Sequence, residues 1–157
     1  MKPSEPIRIW LEISHHVAFR VGGWAWVRAD GAAVAGYAGG ERRVDAERTA
    51  LLALAAALKA ETDAGRPVRL MTASPGLLAI PARIAAAQGG AEAPAENLEL
   101  WAQAMTALKG VEVMRAAAAP GAPSAFAAAW AELARDKAKG GGFLSAIPKT
   151  NLAKAGV

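Results

Sequence analysis

The sharpest pattern in the chain is an alternation of apolar and polar positions over Ile7–Ile13. Ile7, Ile9, Leu11 and Ile13 alternate with Arg8, Trp10 and Glu12. A period of two marks a β-strand with one buried face. Glu12 falls on the face opposite the aliphatic residues, near the strand's end. A polar, basic turn at Ser14–Arg20 carries His15 and His16, and Gly22-Gly23 then leads into a second strand, Trp24–Arg28. Asp30-Gly31 between two apolar runs signals a tight hairpin, with Ala33–Ala38 as the return strand. The first three strands therefore form an antiparallel meander.

The period then changes. Leu51, Leu54 and Leu58 repeat at helical spacing behind Asp45, a residue type suited to an N-cap. Glu47 lies four residues before Leu51, on the same inward stripe. Gly65-Arg66-Pro67 stops this helix, and Val68–Ala73 reads as a fourth strand. A helical crossover places that strand parallel to the first. Ser74-Pro75 opens a second helix that Pro81 interrupts or kinks. Gln88–Glu96 is a Gly/Ala/Pro-rich connection. Leu98, Trp101, Met105 and Leu108 mark a third helix, Val111–Met114 a fifth strand, and Phe126, Trp130, Leu133 and Lys137 a last helix. From Lys139 onward, Gly140-Gly141-Gly142 and scattered lysines read as a flexible basic tail. The expected division is a domain over 1–138 and a tail over 139–157. The expected fold is α/β, a five-stranded mixed sheet flanked by helices.

Bulk properties narrow the class. A chain of 157 residues forms one domain that buries about two thirds of its unfolded surface, so it needs no covalent or metal staple. The absence of cysteine removes disulfides and thiolate metal sites and fits a reducing compartment. The longest apolar run, Ala50–Leu58, falls far short of the roughly 20 residues that span a bilayer. No apolar signal segment follows Met1, and the expected location is cytoplasmic. A net charge of +4 permits an anionic partner without requiring one.

With these residues in this order, the chain resembles ribonuclease H type 1. Ile9-Trp10-Leu11-Glu12-Ile13-Ser14 stands where that family has a strand ending in Thr-Asp-Gly-Ser. Gly22-Gly23-Trp24-Ala25 matches its Gly-Gly-Tyr-Gly, and the helix from Ala46-Glu47 matches its Met-Glu-Leu helix. Met71-Thr72-Ala73-Ser74 parallels Thr-Asp-Ser, Asn97-Leu98-Glu99-Leu100-Trp101 parallels Val-Asp-Leu-Trp, and Trp130-Ala131-Glu132-Leu133-Ala134 parallels Asp-Glu-Leu-Ala. The resemblance spans about residues 7–138. It implies hydrolysis of the RNA strand of an RNA–DNA hybrid by two Mg²⁺ ions held by four acids. Paired divalent ions stabilise the attacking and leaving oxygens of such a displacement.

The same resemblance locates the departures. The four acids map to Glu12, Glu47, Ala73 and Ala131, so two are lost. His15–Val21 replaces a glycine-rich loop, Arg43-Val44 replaces paired asparagines, and Ala116–Pro123 lacks the family's histidine. The candidate catalytic and metal residues are therefore Glu12 and Glu47, as vestiges, with Mg²⁺ held weakly or not at all. Asp45 and Asp136 are the other acids expected nearby. Arg20, Arg42 and Arg43 are the candidate phosphate contacts, and Trp10 and Trp24 are read on Glu12's side of the sheet, free to stack or to pack. Plainer roles compete: a strand-end ion pair with Arg8 or Arg69 for Glu12, a first-turn acid for Glu47, a solvated face for the arginines. Two functions stay open: a catalytically impaired module that binds nucleic acid or a protein partner, and an active hybrid nuclease with a rearranged metal site.

Overall fold

The computed structural model describes residues 5–157, apart from the side chain of Asp63. The chain runs β1 (Ile7–His16), β2 (Val21–Asp30), β3 (Ala33–Arg42), α1 (Ala46–Ala64), β4 (Val68–Thr72), α2 (Pro75–Gln88), α3 (Leu98–Ala107), β5 (Val111–Arg115), α4 (Pro123–Ala138), β6 (Phe143–Ala146) and α5 (Lys149–Leu152). One mixed sheet holds the strands in the order β5-β4-β1-β2-β3-β6. β1 is central, antiparallel to β2 and parallel to β4, as the hairpin and the crossover require. The hairpin turn is Gly31-Ala32, where Gly31 adopts φ 58° and avoids the steric cost of a side chain there.

Asp45 caps α1 by accepting the Arg48 N–H at 2.7 Å, and Gly65 ends the helix in the left-handed conformation. Pro81 lies inside α2, which continues through it. One core lies between the sheet and α1, α2 and α3, built on Ile7, Ile9, Leu11, Leu51, Leu54 and Leu58. A second lies beneath α4, built on Trp10, Ala25, Val27, Ala131 and Ala134. Strand alternation assigns Trp10 and Glu12 to the α4 side. Trp24 is on the other side, contrary to the sequence-based expectation, because its register partner is Ile13.

At Gly23 and Gly40 the α4 interface is nearly free of side chains. A Cβ on Gly23 would lie 2.5 Å from the Ala131 carbonyl oxygen and closer still to the Arg135 nitrogen. A Cβ on Gly40 would lie 2.7 Å from that of Ala138. Glycine in the strands and alanine in the helix let the two backbones touch, and Ala127, Ala131 and Ala138 are fully buried.

The sheet has six strands rather than five. Phe143–Ala146, within the segment read as a flexible tail, pairs antiparallel with β3. Ile147, Leu152 and Ala155 beyond it are buried. Gly36 makes room for them, since a Cβ there would lie 2.7 Å from Leu152 Cδ2 and 3.2 Å from Ile147 Cδ1. Among the described residues, no helix is long and apolar enough to cross a membrane.

Candidate nucleic-acid interface and candidate acid site

Glu12 lies within β1 beside the end of β4 and is only 4% exposed. The Thr72 hydroxyl donates to its carboxylate at 3.0 Å and the Ala73 N–H at 2.8 Å. The Ser74 N–H in turn donates to Thr72 Oγ1 at 3.0 Å. Ser124, buried in the first turn of α4, is directed at the same carboxylate but completes no hydrogen bond of good geometry. Burial pushes the Glu12 pKa up, and the donors from Ala73, Thr72 and Ser74 offset part of that rise. The carboxylate thus sits near the starts of α2 and α4, where helix dipoles favour a negative charge. It pairs with neither Arg8 nor Arg69: Arg8 lies over the Trp10 ring and Arg69 meets Glu112 at 3.6 Å.

Glu47 sits in the first turn of α1 with separate partners. Arg83 donates to one oxygen at 2.9 Å and Asn97 Nδ2 to the other at 3.1 Å. Asn97 also accepts from Arg48 at 3.0 Å, while the Arg83 guanidinium lies 5.1 Å from the centroid of the Trp101 ring. This network ties α1 to α2 and α3 at a cleft of about 400 Å³. Asn97 holds its place in left-handed geometry, φ 56°.

The other acids stand apart. Asp45 is occupied as the α1 cap. Asp136 is exposed and meets Arg135 at 3.2 Å and Lys139 at 3.7 Å. Ala73 and Ala131 offer no ligand atom, and the Ala131 backbone rests on the sheet. Among the described residues, no three histidine, cysteine or acidic side chains come together in a way that could hold a metal ion. Thr72, Ser124, Arg83 and Asn97, which hold or face the two glutamates, carried no signal in the sequence beyond their place beside the matched motifs.

The three candidate arginines converge at one end of the sheet. Arg42 pairs in register with Val21, next to Arg20, and Arg43 follows directly. All three are exposed. Arg20 and Arg43 adopt positive φ, 51° and 59°. Between them the Val44 backbone is held twice: its N–H donates to the Arg20 carbonyl at 3.0 Å, and its carbonyl accepts from His15 Nε2 at 2.8 Å. His15 is therefore a fastener between the two turns. The rim beside them carries Phe19, which is 61% exposed, with the Lys139 ammonium 4.6 Å from its ring centroid.

No family model matches the sequence. No curated protein matches it significantly. The fold does match solved structures. LC9-RNase H1, described as a type 1 RNase H with the type 2 active-site motif, superposes with a TM-score of 0.66 at 19% identity, over 99% of this chain and 87% of that one. The N-terminal RNase H domain of Rv2228c from Mycobacterium tuberculosis gives 0.62 at 17% identity, over 85% and 95%. The foamy viral protease-reverse transcriptase in complex with dsDNA gives 0.61 at 11% identity, over 87% and 96%. Strand order, crossover and these superpositions agree: the chain has a ribonuclease H-like fold.

Proposed function

We propose that this protein is a nucleic-acid-binding module on a ribonuclease H-like scaffold whose acid site serves structure instead of hydrolysis. The observation that carries the reading is Glu12: at the position of the first family acid stands a buried carboxylate already engaged by a hydroxyl and a backbone N–H. Four carboxylates would balance the charge of two Mg²⁺ ions. Here two glutamates remain, each bonded to protein donors, and Ala73 and Ala131 contribute nothing. Mg²⁺ needs several hard oxygens in near-octahedral array, and these residues do not fit a fixed pair of ions. The arginine cluster at Arg20, Arg42 and Arg43 supports a sequence-independent grip on phosphates.

The test is incubation of the full chain with a labelled RNA–DNA hybrid in Mg²⁺ or Mn²⁺. The expected result is no cleavage above a protein-free control. Metal-dependent cleavage abolished by Glu47→Gln would establish the active-nuclease reading instead. In anisotropy titrations the hybrid is expected to bind weakly and in a salt-sensitive way. On duplex DNA, each phosphate contact contributes a slope of about −0.9 in log affinity against log salt. Replacing Arg20, Arg42 and Arg43 by alanine is expected to flatten that slope by roughly two to three units. An unchanged slope would place the contact elsewhere.

A further inference from the structure

The turn between β1 and β2 sets apolar surface among the cations of the arginine end. Val17–Arg20 is closed by the Arg20 N–H, which donates to the Val17 carbonyl at 3.3 Å. It leaves Val17 80% exposed and Phe19 61% exposed. Among the described residues, Phe19 is the only aromatic side chain more than half exposed. Tyr37 follows at 38%, and the tryptophans are buried or half-buried. A lone exposed apolar side chain is ordinary, and what sets this one apart is its surroundings. Its ring centroid lies 4.8 Å from that of His16, the last residue of β1, with the rings tilted by 52°. The next residue, Arg20, is pinned by the Val44 N–H on its carbonyl. The turn therefore presents the ring from a fixed main chain.

We infer that Phe19 is a stacking platform for an unpaired base, so that the arginine end takes single-stranded nucleic acid in preference to a duplex. The inference rests on the phosphate-binding reading above and specifies its ligand. Bases inside a duplex are covered on both faces and offer only their edges. A single strand can lay a base on an aromatic ring while its phosphates meet neighbouring cations. Those cations flank Phe19: Arg20 follows it in the chain, Arg42 pairs in register with Val21, and the Lys139 ammonium lies 4.6 Å from the ring centroid. Magnitudes decide between that lysine and a base. An exposed cation–π contact shifts an equilibrium by about two- to fivefold, and a stacked base by roughly five- to hundredfold. A base therefore displaces Lys139 from the ring. The other contact of Lys139, Asp136 at 3.7 Å, is an exposed ion pair of little strength, so the ammonium is free to turn to a phosphate. A protein partner is the poorer fit, because Val17 and Phe19 on one short turn are far too little surface for a stable protein interface.

The probe is a fluorescein-labelled oligothymidylate, titrated by anisotropy into the full chain beside a DNA duplex and an RNA–DNA hybrid of the same length. The single strand is expected to bind more tightly than either. Phe19→Ala is expected to weaken single-strand binding by roughly five- to hundredfold. Its salt slope should stay unchanged, since no phosphate contact is lost, and the duplex and hybrid affinities should stay as they were. Phe19→Trp is expected to keep or raise single-strand affinity. Because Phe19 is exposed, neither change is expected to move the melting temperature. An oligonucleotide carrying iodouracil is expected to photocrosslink to Phe19. Equal affinity for single strand and duplex, or single-strand affinity indifferent to Phe19→Ala, overturns this inference and leaves the phosphate-binding reading standing. Failure of all three ligands to bind at low salt overturns both. Sedimentation showing a dimer that Phe19→Ala dissolves and that oligothymidylate leaves intact overturns it as well, and would assign the turn to a second copy of the chain.

Discussion

Gly23→Ala is expected to destabilise the protein by at least about 3 kcal/mol, lowering the melting temperature by roughly 6–12 °C. The added methyl would meet backbone atoms of α4, the Ala131 oxygen and the Arg135 nitrogen, and backbone cannot rotate out of the way as a side chain can. Relief requires lifting α4 from β2, which opens the core formed by Ala25, Val27, Ala131 and Ala134. Gly76→Ala is the matched control: its Cβ would find only ordinary contacts at 3.7 Å, inside α2. That change is expected to be neutral, or stabilising by about 0.4–1 kcal/mol. Equal thermal melts for the two variants would mean that α4 does not rest on the glycines. The same packing determines what a restored acid would do. Asp at position 131 would enter a fully buried site against the sheet, so Ala131→Asp is expected to unfold the protein before it could bind metal.

Glu12→Ala is expected to cost about 3 kcal/mol, from a small void and from a hydroxyl and an N–H left without acceptors. The more diagnostic variant is Glu12→Gln, because the carboxyl group titrates. Burial raises its pKa in the folded state above the ordinary value of 4.5. Between those two values the folded protein holds a proton that the unfolded chain has released. The stability associated with the neutral acid is complete below 4.5 and is lost as pH rises through the folded value. Denaturation measured between about pH 4 and pH 7 should show wild-type stability falling relative to Glu12→Gln. Parallel curves would remove the buried, pKa-shifted carboxyl from the account.

Much of this architecture was legible in the chain because it is local. The alternation over Ile7–Ile13 gave the central strand, the Asp30-Gly31 pair gave the hairpin, and Asp45 gave the α1 cap within reach of its own helix. The sixth strand was not legible, because Phe143–Ala146 is short and follows a run of three glycines, and its stability comes from Gly36 and β3, a hundred residues earlier. The acid site was half legible. Position marked Glu12 and Glu47, but a glutamate on the polar phase of a strand gives no sign that it is buried. Thr72 and Ala73 lie 60 and 61 positions away, and Asn97 lies 50 positions from Glu47. Trp24 was misassigned for a related reason, since its face depends on the register against Ile13.

The double hold on Val44 also bears on the thermodynamics of association. It fixes the main chain at Arg20 and Arg43 before any phosphate arrives. Binding there need order only side chains, whose rotamer entropy is about 2 kcal/mol for each arginine, with no loop folding added. Calorimetry should therefore find a small heat-capacity change, because little apolar surface is removed from water when preset turns meet a polyanion. Association should be driven mainly by the release of condensed counterions.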